Sequence, residues 1–414
     1  MDSIRLEENG LAFPESCIVD RRRIRIVAFS REVPDPTRSS GDRRYSTMLR
    51  LLARRCDVHL CVSRAEVAER GAAAEFVQCG IRVYIGRQRM ALLAARKFDV
   101  AIIEFFHLGE EILPLLRMVQ PDLKVIVDSV DVHFLRERAG AQLGLLGADQ
   151  VEKTKQRELR VYRTADAVIA ITPAECEALL GFAGMPPVFV VPNLLAVHKR
   201  KNCERKRELL FIGYFEHKPN VDGIIWFVNE VWPKVCMDIP EASLTIVGAA
   251  MPEEIRALGR LPGVESVGYV PDTLVYLDRA AVSIAPLRYG GGMKGKVTEA
   301  MAAGVPVVTT GVGAQGIPAI SGTHLVIGDT VDEFAKGIVF LLRNRSEAER
   351  IGQAGQKLAA KLCGIDAGER AIEGMLDGIV APVPAKLLFP VYGFCRLAWY
   401  VFARLFGLEL LTVA

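Results

Sequence analysis

Residues 281–316, AVSIAPLRYGGGMKGKVTEAMAAGVPVVTTGVGAQG, contain the pattern of a strand, a loop, a helix and a second strand. The runs AVSIAPL and VPVVTT each have the length and apolar content of a buried strand. The segment between them has the composition of a short apolar helix. Two buried strands joined through a helix are parallel neighbours in a covered sheet, so this stretch predicts an α/β fold.

The loop of this unit combines glycines with positive charge. Gly290, Gly291 and Gly292 are followed closely by Lys294 and Lys296. Glycine loses the most backbone entropy on folding, so a triple glycine indicates a backbone that approaches something closely. Amide groups at a helix N-terminus and two ammonium groups favour an anion. We expect a phosphate site here, and a tight turn with solvated lysines is the alternative interpretation.

The same alternation of strand and helix patterns extends through the chain in two sets. Strand candidates of the first set are residues 24–30, 58–63, 98–106, 123–131, 165–172 and 188–193, and those of the second are 209–215, 243–250, 264–270, 281–287, 305–310 and 324–328. Helical patterns include residues 45–55, 221–235 and 331–342. A charged segment without apolar periodicity separates the sets at 198–208, which indicates a linker. We predict two facing, doubly wound, Rossmann-like domains with parallel sheets, at 24–197 and 209–378.

The two ends of the chain differ from the domains. Residues 1–23 form a polar leader without the layout of a signal peptide, which favours a cytoplasmic protein. Residues 379–414 are unusually apolar, but Arg396 and Arg404 would each cost about 2.5–3.5 kcal/mol near the centre of a bilayer. This tail favours an in-plane helix on the inner face of the membrane over a span, and a helix packed on the first domain is the competing interpretation.

Composition limits the functional classes. Net charge is +3, and the nine cysteines are scattered without a C-x-x-C pair, which argues against a disulfide framework or a zinc knuckle. Arginines are dense between Arg21 and Arg55, which suggests an electropositive face on the first domain for an anionic ligand, with a solvated basic helix as the alternative. Aromatic residues are not interleaved with them, which argues against nucleic acid. No G-x-G-x-x-G follows the first strand of either set, which argues against a nicotinamide cofactor.

Several segments together resemble a known family. They are LLFIGYFEHKPNVDGIIWFVNEVWP, SLTIVG, the block from VGYVPDTLVYLDRAAV through GVGAQGI and, more loosely, PDPTRSSGDRR and VDSVDVHFLRER. They resemble the retaining family 4 (group 1) glycosyltransferases, whose architecture is called GT-B, and within them a subgroup written G-G-G-x-K-x-K-x-x-E-A. The resemblance implies transfer of a sugar from a nucleotide-diphosphate sugar to a glycan acceptor, in lipid-linked form, during cell-surface polysaccharide biosynthesis.

The resemblance also implies roles for the donor side. Glu299 matches the glutamate that holds the ribose hydroxyls. The family's second glutamate, eight residues earlier, contacts the donor sugar, but that position is Gly291 here. The arginine that usually follows the strand-end glycine is also absent, because Tyr214 follows Gly213. The diphosphate contacts therefore fall to the loop amides and to cations, for which the candidates are Lys294, Lys296, Arg288 and Lys218.

In the first domain the family places a histidine at the end of an inner strand. That histidine faces the donor sugar, and His133 fits best. His133, Asp131 and Asp128 are therefore the catalytic candidates, with Arg136 nearby. His107 is the competitor, and a purely structural histidine is the alternative interpretation. Gly41 matches the loop that approaches donor and acceptor, and an ordinary turn is the alternative. The resemblance implies front-face displacement, with double displacement as the alternative. Cationic side chains and oriented amides can stabilise the leaving diphosphate without a metal, and we expect no further cofactor. D-S-V-D is not a D-x-D metal motif.

Two other functions share these features. One is a sugar-nucleotide 2-epimerase of the same fold, which would act on a nucleotide sugar without an acceptor. The other is a non-catalytic nucleotide-sugar-binding subunit of a glycan assembly complex, for which the missing glutamate at Gly291 is the argument.

Overall fold

The computed structural model describes residues 23–63, 70–86, 88–199 and 206–380. The predicted leader up to residue 22, the predicted tail beyond residue 380 and residues 200–205 of the predicted linker lie outside the described residues. None of the helices within the described ranges combines the length and the apolarity needed to cross a membrane.

The first domain is a parallel sheet covered by helices. Its described strands are β1 (Arg25–Ser30), β2 (Asp57–Val62), β3 (Arg82–Ile85), β4 (Val100–Glu104), β5 (Lys124–Asp128), β6 (Ala167–Ala170) and β7 (Val188–Val190), in the order β3-β2-β1-β4-β5-β6-β7. Its helices are α1 (Ser40–Ala53), α2 (Arg70–Gln78), α3 (Gln88–Ala95), α4 (Phe106–Val119), α5 (His133–Gln142), α6 (Ala148–Thr164) and α7 (Pro173–Leu180). Apolar side chains of the central strands are fully buried on both faces, which explains their continuous hydrophobic sequence.

The second domain repeats this architecture. Its described strands are β8 (Glu208–Ile212), β9 (Ser243–Val247), β10 (Val264–Gly268), β11 (Val282–Ala285), β12 (Val307–Thr309) and β13 (Val326–Ile327), in the order β10-β9-β8-β11-β12-β13. Its helices are α8 (Lys218–Trp226), α9 (Trp232–Asp238), α10 (Glu253–Leu258), α11 (Leu274–Arg279), α12 (Gly295–Ala302), α13 (Val331–Arg343) and α14 (Arg345–Cys363), with a π-helical segment Phe227–Val231 between α8 and α9. The predicted pair of facing Rossmann-like sheets is confirmed.

Two local features differ from the sequence prediction. Strand β3 was missed because its side chains are half-exposed, which leaves no buried run in the sequence. Helix α1 begins at Ser40 and not near Tyr45, since the Ser39 side chain accepts a hydrogen bond from the Asp42 amide and caps the helix. Gly41 therefore lies in the first turn of a helix and not in the loop where it was expected.

Helix α15 (Ile365–Ile379) returns to the first domain, although the sequence prediction placed it in the range of the second. Ile372 and Met375 are buried in the core beneath α1. Glu369 and Glu373 form ion pairs with Arg54 and Arg55 at the end of α1. This helix therefore joins the two domains on the side of the sheet that carries α1.

Candidate active site

The carboxyl ends of the two sheets face each other across a cleft of about 320 Å³. Residues just beyond β1, β4 and β5 line one wall, and residues just beyond β8, β9 and β11 line the other. Thr37 and Tyr269 share a hydrogen bond of 2.9 Å between their hydroxyl groups across the domain boundary. In open α/β sheets ligands bind at this edge of the strands, so the cleft is the candidate active site.

Lys294 is the N-cap residue of α12, and its side chain hydrogen-bonds to the glycine loop. Its Nζ donates hydrogen bonds of 2.7 Å to the carbonyls of Gly291 and Gly292. Gly292 has a φ of 61°, a conformation that glycine adopts without strain. Burial lowers the pKa of Lys294 to about 8. An ammonium group has three N–H donors, so Lys294 retains one for a ligand at the helix N-terminus.

Lys296 lies deeper in the same turn. Its Nζ donates to Asn220 Oδ1 at 2.5 Å and lies 4.3 Å from the centre of the Phe211 ring. Burial lowers the pKa of Lys296 to about 7, with a smaller contribution from Lys294 and an opposing one from Glu299. An anion bound at the start of this helix would stabilise the protonated, charged forms of both lysines.

Glu299 pairs with a residue of the opposite domain. Arg43 Nη1 lies 2.9 Å from Glu299 Oε2, and the glutamate side chain is 9% exposed. Burial raises the pKa of Glu299, and Arg43 and Lys296 oppose that shift. Sequence reasoning missed Arg43 as an individual residue, although the dense arginines between residues 21 and 55 indicated an electropositive first domain.

Asp131 carries the negative charge of the first-domain wall. It forms an ion pair with Arg136, and His133 Nδ1 lies 3.4 Å from its Oδ1. Burial alone would raise the pKa of Asp131, but the charges of Arg136, His133 and His217 lower it to about 2. The preceding residue, Val130, has a φ of 57°, which is strained for a β-branched residue and is a feature that collects at functional sites.

His133 lies behind the cleft. It begins α5, its backbone amide donates to Glu158 Oε1 at 3.1 Å, and its ring packs edge-on against Phe105, Phe106 and His107. Burial lowers the pKa of His133, but Asp131 and Glu158 outweigh burial and raise it. His133 therefore contacts Asp131 from behind, and Asp131, which lines the cleft, stands between this ring and a ligand.

Three expected site residues lie elsewhere. Asp128 is wholly buried and lies 2.7 Å from Nη1 of Arg44, which is also buried. Two buried opposite charges neutralise each other in the core. The prediction that Asp128 is catalytic is therefore corrected. Arg288 turns outward to pair with Asp222, with its Nε 2.9 Å from Asp222 Oδ2. Lys218 is exposed at the start of α8. None of the three lines the cleft in the part of the chain that is described.

Some of the glycines expected at the site line the cleft and others do not. Gly41, Gly213 and Gly291 line the cleft, whereas Gly290 and Gly292 shape the loop behind it. An added side chain at Gly213 would meet the Phe211 ring at 2.8 Å, so the strand end needs glycine to pack.

His217 is a cleft residue that sequence reasoning missed. It caps the start of α8 and lines the cleft opposite Asp131 and Arg136. Burial lowers the pKa of His217 to about 4, and the nearby cations contribute while Asp131 opposes them. The sequence signal for His217 was its position directly before the lysine and proline that start α8. The sequence prediction chose the neighbouring Lys218 as the cleft residue instead.

Within the described ranges, no group of three or more His, Cys, Asp or Glu side chains is placed to hold a metal ion.

Comparison with solved structures identifies the fold. Sucrose-phosphate synthase from Thermosynechococcus elongatus superposes with a TM-score of 0.65 at 16% identity, covering 86% of this chain and 99% of that one. Anabaena HepE, solved in complex with UDP and glucose, superposes with a TM-score of 0.65 at 12% identity, covering 86% and 100%. The chain therefore has the GT-B architecture of two facing Rossmann-like domains.

Sequence comparison adds a family match for the second domain. Residues 206–344 match the family model described as glycosyl transferases group 1, which covers β8 through α13. An uncharacterized 44.6 kDa protein in the cps region of Klebsiella pneumoniae is 29% identical over 158 residues, which is 36% of this chain. The matched segment spans 40% of that relative's length. The second domain thus has the sequence pattern of glycosyl transferases group 1.

Proposed function

We propose that this protein is a retaining glycosyltransferase that transfers a sugar from a nucleoside-diphosphate sugar to a glycan acceptor, without a metal ion. One observation carries the proposal: two buried lysines and the N-terminus of α12 meet Glu299 in a cleft between two Rossmann-like domains. The family match of the second domain and the relative in a cps region support a role in polysaccharide biosynthesis. The acceptor we propose is lipid-linked and reached from the inner face of the membrane.

The donor diphosphate would lie at the start of α12. Lys294, Lys296 and the helix amides can stabilise the negative charge that develops on the leaving diphosphate, because oriented donors in a water-poor cleft act strongly. Glu299 Oε1 is the oxygen not paired with Arg43, and it can accept hydrogen bonds from ribose hydroxyls. A donor phosphate oxygen would then take the proton of the acceptor hydroxyl on the same face of the sugar.

The acceptor would approach from the start of α1. Ser40 and Gly41 line the cleft there, and an added side chain at Gly295 would overlap the Ser40 side chain, so α1 and the donor loop are in direct contact. Donor and acceptor would therefore meet at the domain boundary, which excludes water from the reacting centre.

The first test is thermal stabilisation by UDP, GDP, dTDP and ADP and by their common sugar conjugates. A ligand that binds only the native state raises the melting temperature when its concentration exceeds its dissociation constant. We expect one nucleotide to stabilise the wild type, and Glu299→Ala and Lys294→Ala to lose that shift. Lys357→Ala, on the exposed side of α14, is the matched control and should keep it.

Transfer is then assayed with lipid-linked oligosaccharide acceptors, and NMR reports the anomeric configuration of the product. A new α-linkage from an α-configured donor supports retention. Conversion of the sugar nucleotide without an acceptor would instead identify a 2-epimerase, and tight binding without turnover on any acceptor would identify a non-catalytic subunit. A chain that no nucleotide of the panel stabilises would overturn the proposal.

A further inference from the structure

The glycine at position 291 is in contact with the opposite domain. A Cβ added to Gly291 would lie 3.0 Å from Arg136 Cβ, 3.3 Å from Arg136 Cα and 3.4 Å from Arg136 N. Two of these atoms are backbone atoms of α5, and a helix backbone moves aside less easily than the far end of a flexible side chain. With the domains in this arrangement, a side chain at 291 would require the donor loop or α5 to shift by a few tenths of an ångström.

The residue that pairs with Arg136 supplies a carboxylate beside the same place. Asp131 lines the cleft and lies next to the loop, because an added Cβ at Gly292 would be 3.7 Å from Asp131 Cβ. Arg136 and His133 hold its two oxygens from the first-domain side. A carboxylate has about four lone-pair sites, so two remain for hydroxyl donors in the cleft.

The charge on Asp131 is secured by its surroundings. Its low pKa keeps the group ionised at neutral pH, and a charged acceptor forms hydrogen bonds roughly twice as strong as a neutral one. The rigid start of α5 adds precision, since Glu158 caps the helix through the amides of His133 and Phe134 at 3.1 and 3.0 Å.

We infer that Asp131, positioned by Arg136, accepts hydrogen bonds from the hydroxyls of the donor sugar, so that the first domain selects the sugar and Gly291 is the space that admits α5. This inference rests on the proposed function and deepens it, since it assigns sugar selection to a domain other than the one that binds the nucleotide. A neutral, hydroxyl-bearing sugar is the class that a fixed carboxylate accepts, and a sugar acid would be repelled.

The experiment separates sugar binding from nucleotide binding. Isothermal titration gives the dissociation constants of the best-binding sugar nucleotide among UDP-glucose, UDP-galactose, UDP-N-acetylglucosamine, GDP-mannose and dTDP-rhamnose, and of its nucleoside diphosphate. We expect Asp131→Asn to weaken sugar-nucleotide binding about tenfold while the nucleoside diphosphate binds as before, because one charge-assisted hydrogen bond is lost. Asp122→Asn, exposed in the turn before β5, is the matched control.

Gly291→Glu tests the contact between the donor loop and α5. It restores a carboxylate to the donor loop, yet we expect weaker sugar-nucleotide binding, because the side chain must displace α5 and with it Arg136, the partner of Asp131. Arg136→Lys keeps the positive charge but loses the planar fork, and should raise KM for the sugar nucleotide with a smaller change in kcat. Melting temperatures of the ligand-free variants show which of them fold.

The outcomes are distinguishable. If Asp131→Asn binds the sugar nucleotide as wild type does, or if Gly291→Glu binds it more tightly, the inference is wrong while the proposed function stands. If no sugar nucleotide binds the wild type, the proposed function fails, and this inference fails with it. Because Asp131→Asn conserves size, the inference can be tested even if Gly291→Glu does not fold.

Discussion

Arg43 and Glu299 link the two domains through a 2.9 Å ion pair at the mouth of the cleft. Arg43 comes from the second turn of a first-domain helix, and Glu299 from the helix that follows the glycine loop. The pair thus joins the proposed ribose contact to the proposed acceptor wall, and we expect ligand binding at Glu299 to be coupled to the position of α1.

Replacing Arg43 tests this coupling. Arg43→Met should leave the buried Glu299 carboxyl without its closest cation and raise its pKa further, because burial already favours the neutral form. We expect a loss of about 1–3 kcal/mol in the free energy of unfolding at pH 7, the penalty for an unsatisfied buried group, reduced because Arg43 is partly exposed. Urea denaturation measures the loss, and a stability loss that does not shrink as Glu299 is protonated at lower pH would contradict this origin.

Nucleotide affinity should depend on pH through the two loop lysines. Lys296 and Lys294 have pKa values of about 7 and about 8, so both lose positive charge as pH rises from 7 to 9. We expect the dissociation constant of a nucleoside diphosphate to rise about tenfold over that range, measured by isothermal titration. Lys296→Arg should flatten the profile, because arginine stays charged, and an unchanged slope in this variant would rule out Lys296 as the source.

The same lysines predict an opposite trend for the ligand-free protein. Their folded pKa values lie below the ordinary value of 10.5, so between about pH 7 and 10.5 the unfolded chain binds more protons than the native one. Their contribution to the free energy of unfolding therefore rises with pH in that window and is lowest below it. The unfolding free energy of the wild type minus that of Lys296→Met, followed by urea denaturation from pH 6.5 to 9.5, isolates this contribution and should increase as pH rises.

Asp128 and Asp131 should behave differently although three positions separate them. Asp128→Asn removes the partner of a guanidinium that is 1% exposed, so we expect a loss of about 3–5 kcal/mol in the free energy of unfolding. Nucleotide affinity of the folded fraction should stay unchanged, because Asp128 does not line the cleft. A stable Asp128→Asn protein with impaired nucleotide binding would return Asp128 to the site.

Gly248 tests the packing under the second-domain wall. A Cβ at Gly248 would overlap the Gly213 carbonyl and lie 3.1 Å from Phe215 Cε2. We expect Gly248→Ala to cost about 1–3 kcal/mol of unfolding free energy, as overpacking does, and to weaken nucleotide binding by moving the Gly213 strand end. Gly374→Ala is the control, since no atom lies within 4 Å of its added Cβ, and should be neutral or stabilising by about 0.5–1 kcal/mol. Equal melting temperatures for Gly248→Ala and wild type would contradict the packing argument.

The success of the strand predictions has a simple cause. Runs such as RIVAFS and VAIIE are buried on both faces, so their apolar character is continuous and visible without an alignment. Strand β3, RVYI, is half-exposed, and its sequence does not distinguish it from a loop. Burial on both faces is therefore what made the parallel sheets predictable.

The predicted site residues lie together at the cleft where one element carries them all. Lys294, Lys296 and Glu299 share the start of α12, and the helix places all three along the cleft as the spacing indicated. Arg288 and Asp128 lie outside the cleft lining, and each pairs with a residue from elsewhere in the chain, Asp222 and Arg44 respectively. A sequence shows the charge of such residues but not the partner that neutralises it.

The sequence by itself determined the two parallel-sheet domains and the glycine and lysine loop, because hydrophobic periodicity and backbone freedom are local properties. Only the tertiary structure decided that Arg43 meets Glu299, that Arg136 occupies the space at Gly291 and that Asp128 is a core residue. Those relationships join residues more than eighty positions apart. They arise from how two rigid domains pack, and the free energy of that packing belongs to pairs of surfaces that no single stretch of the chain contains.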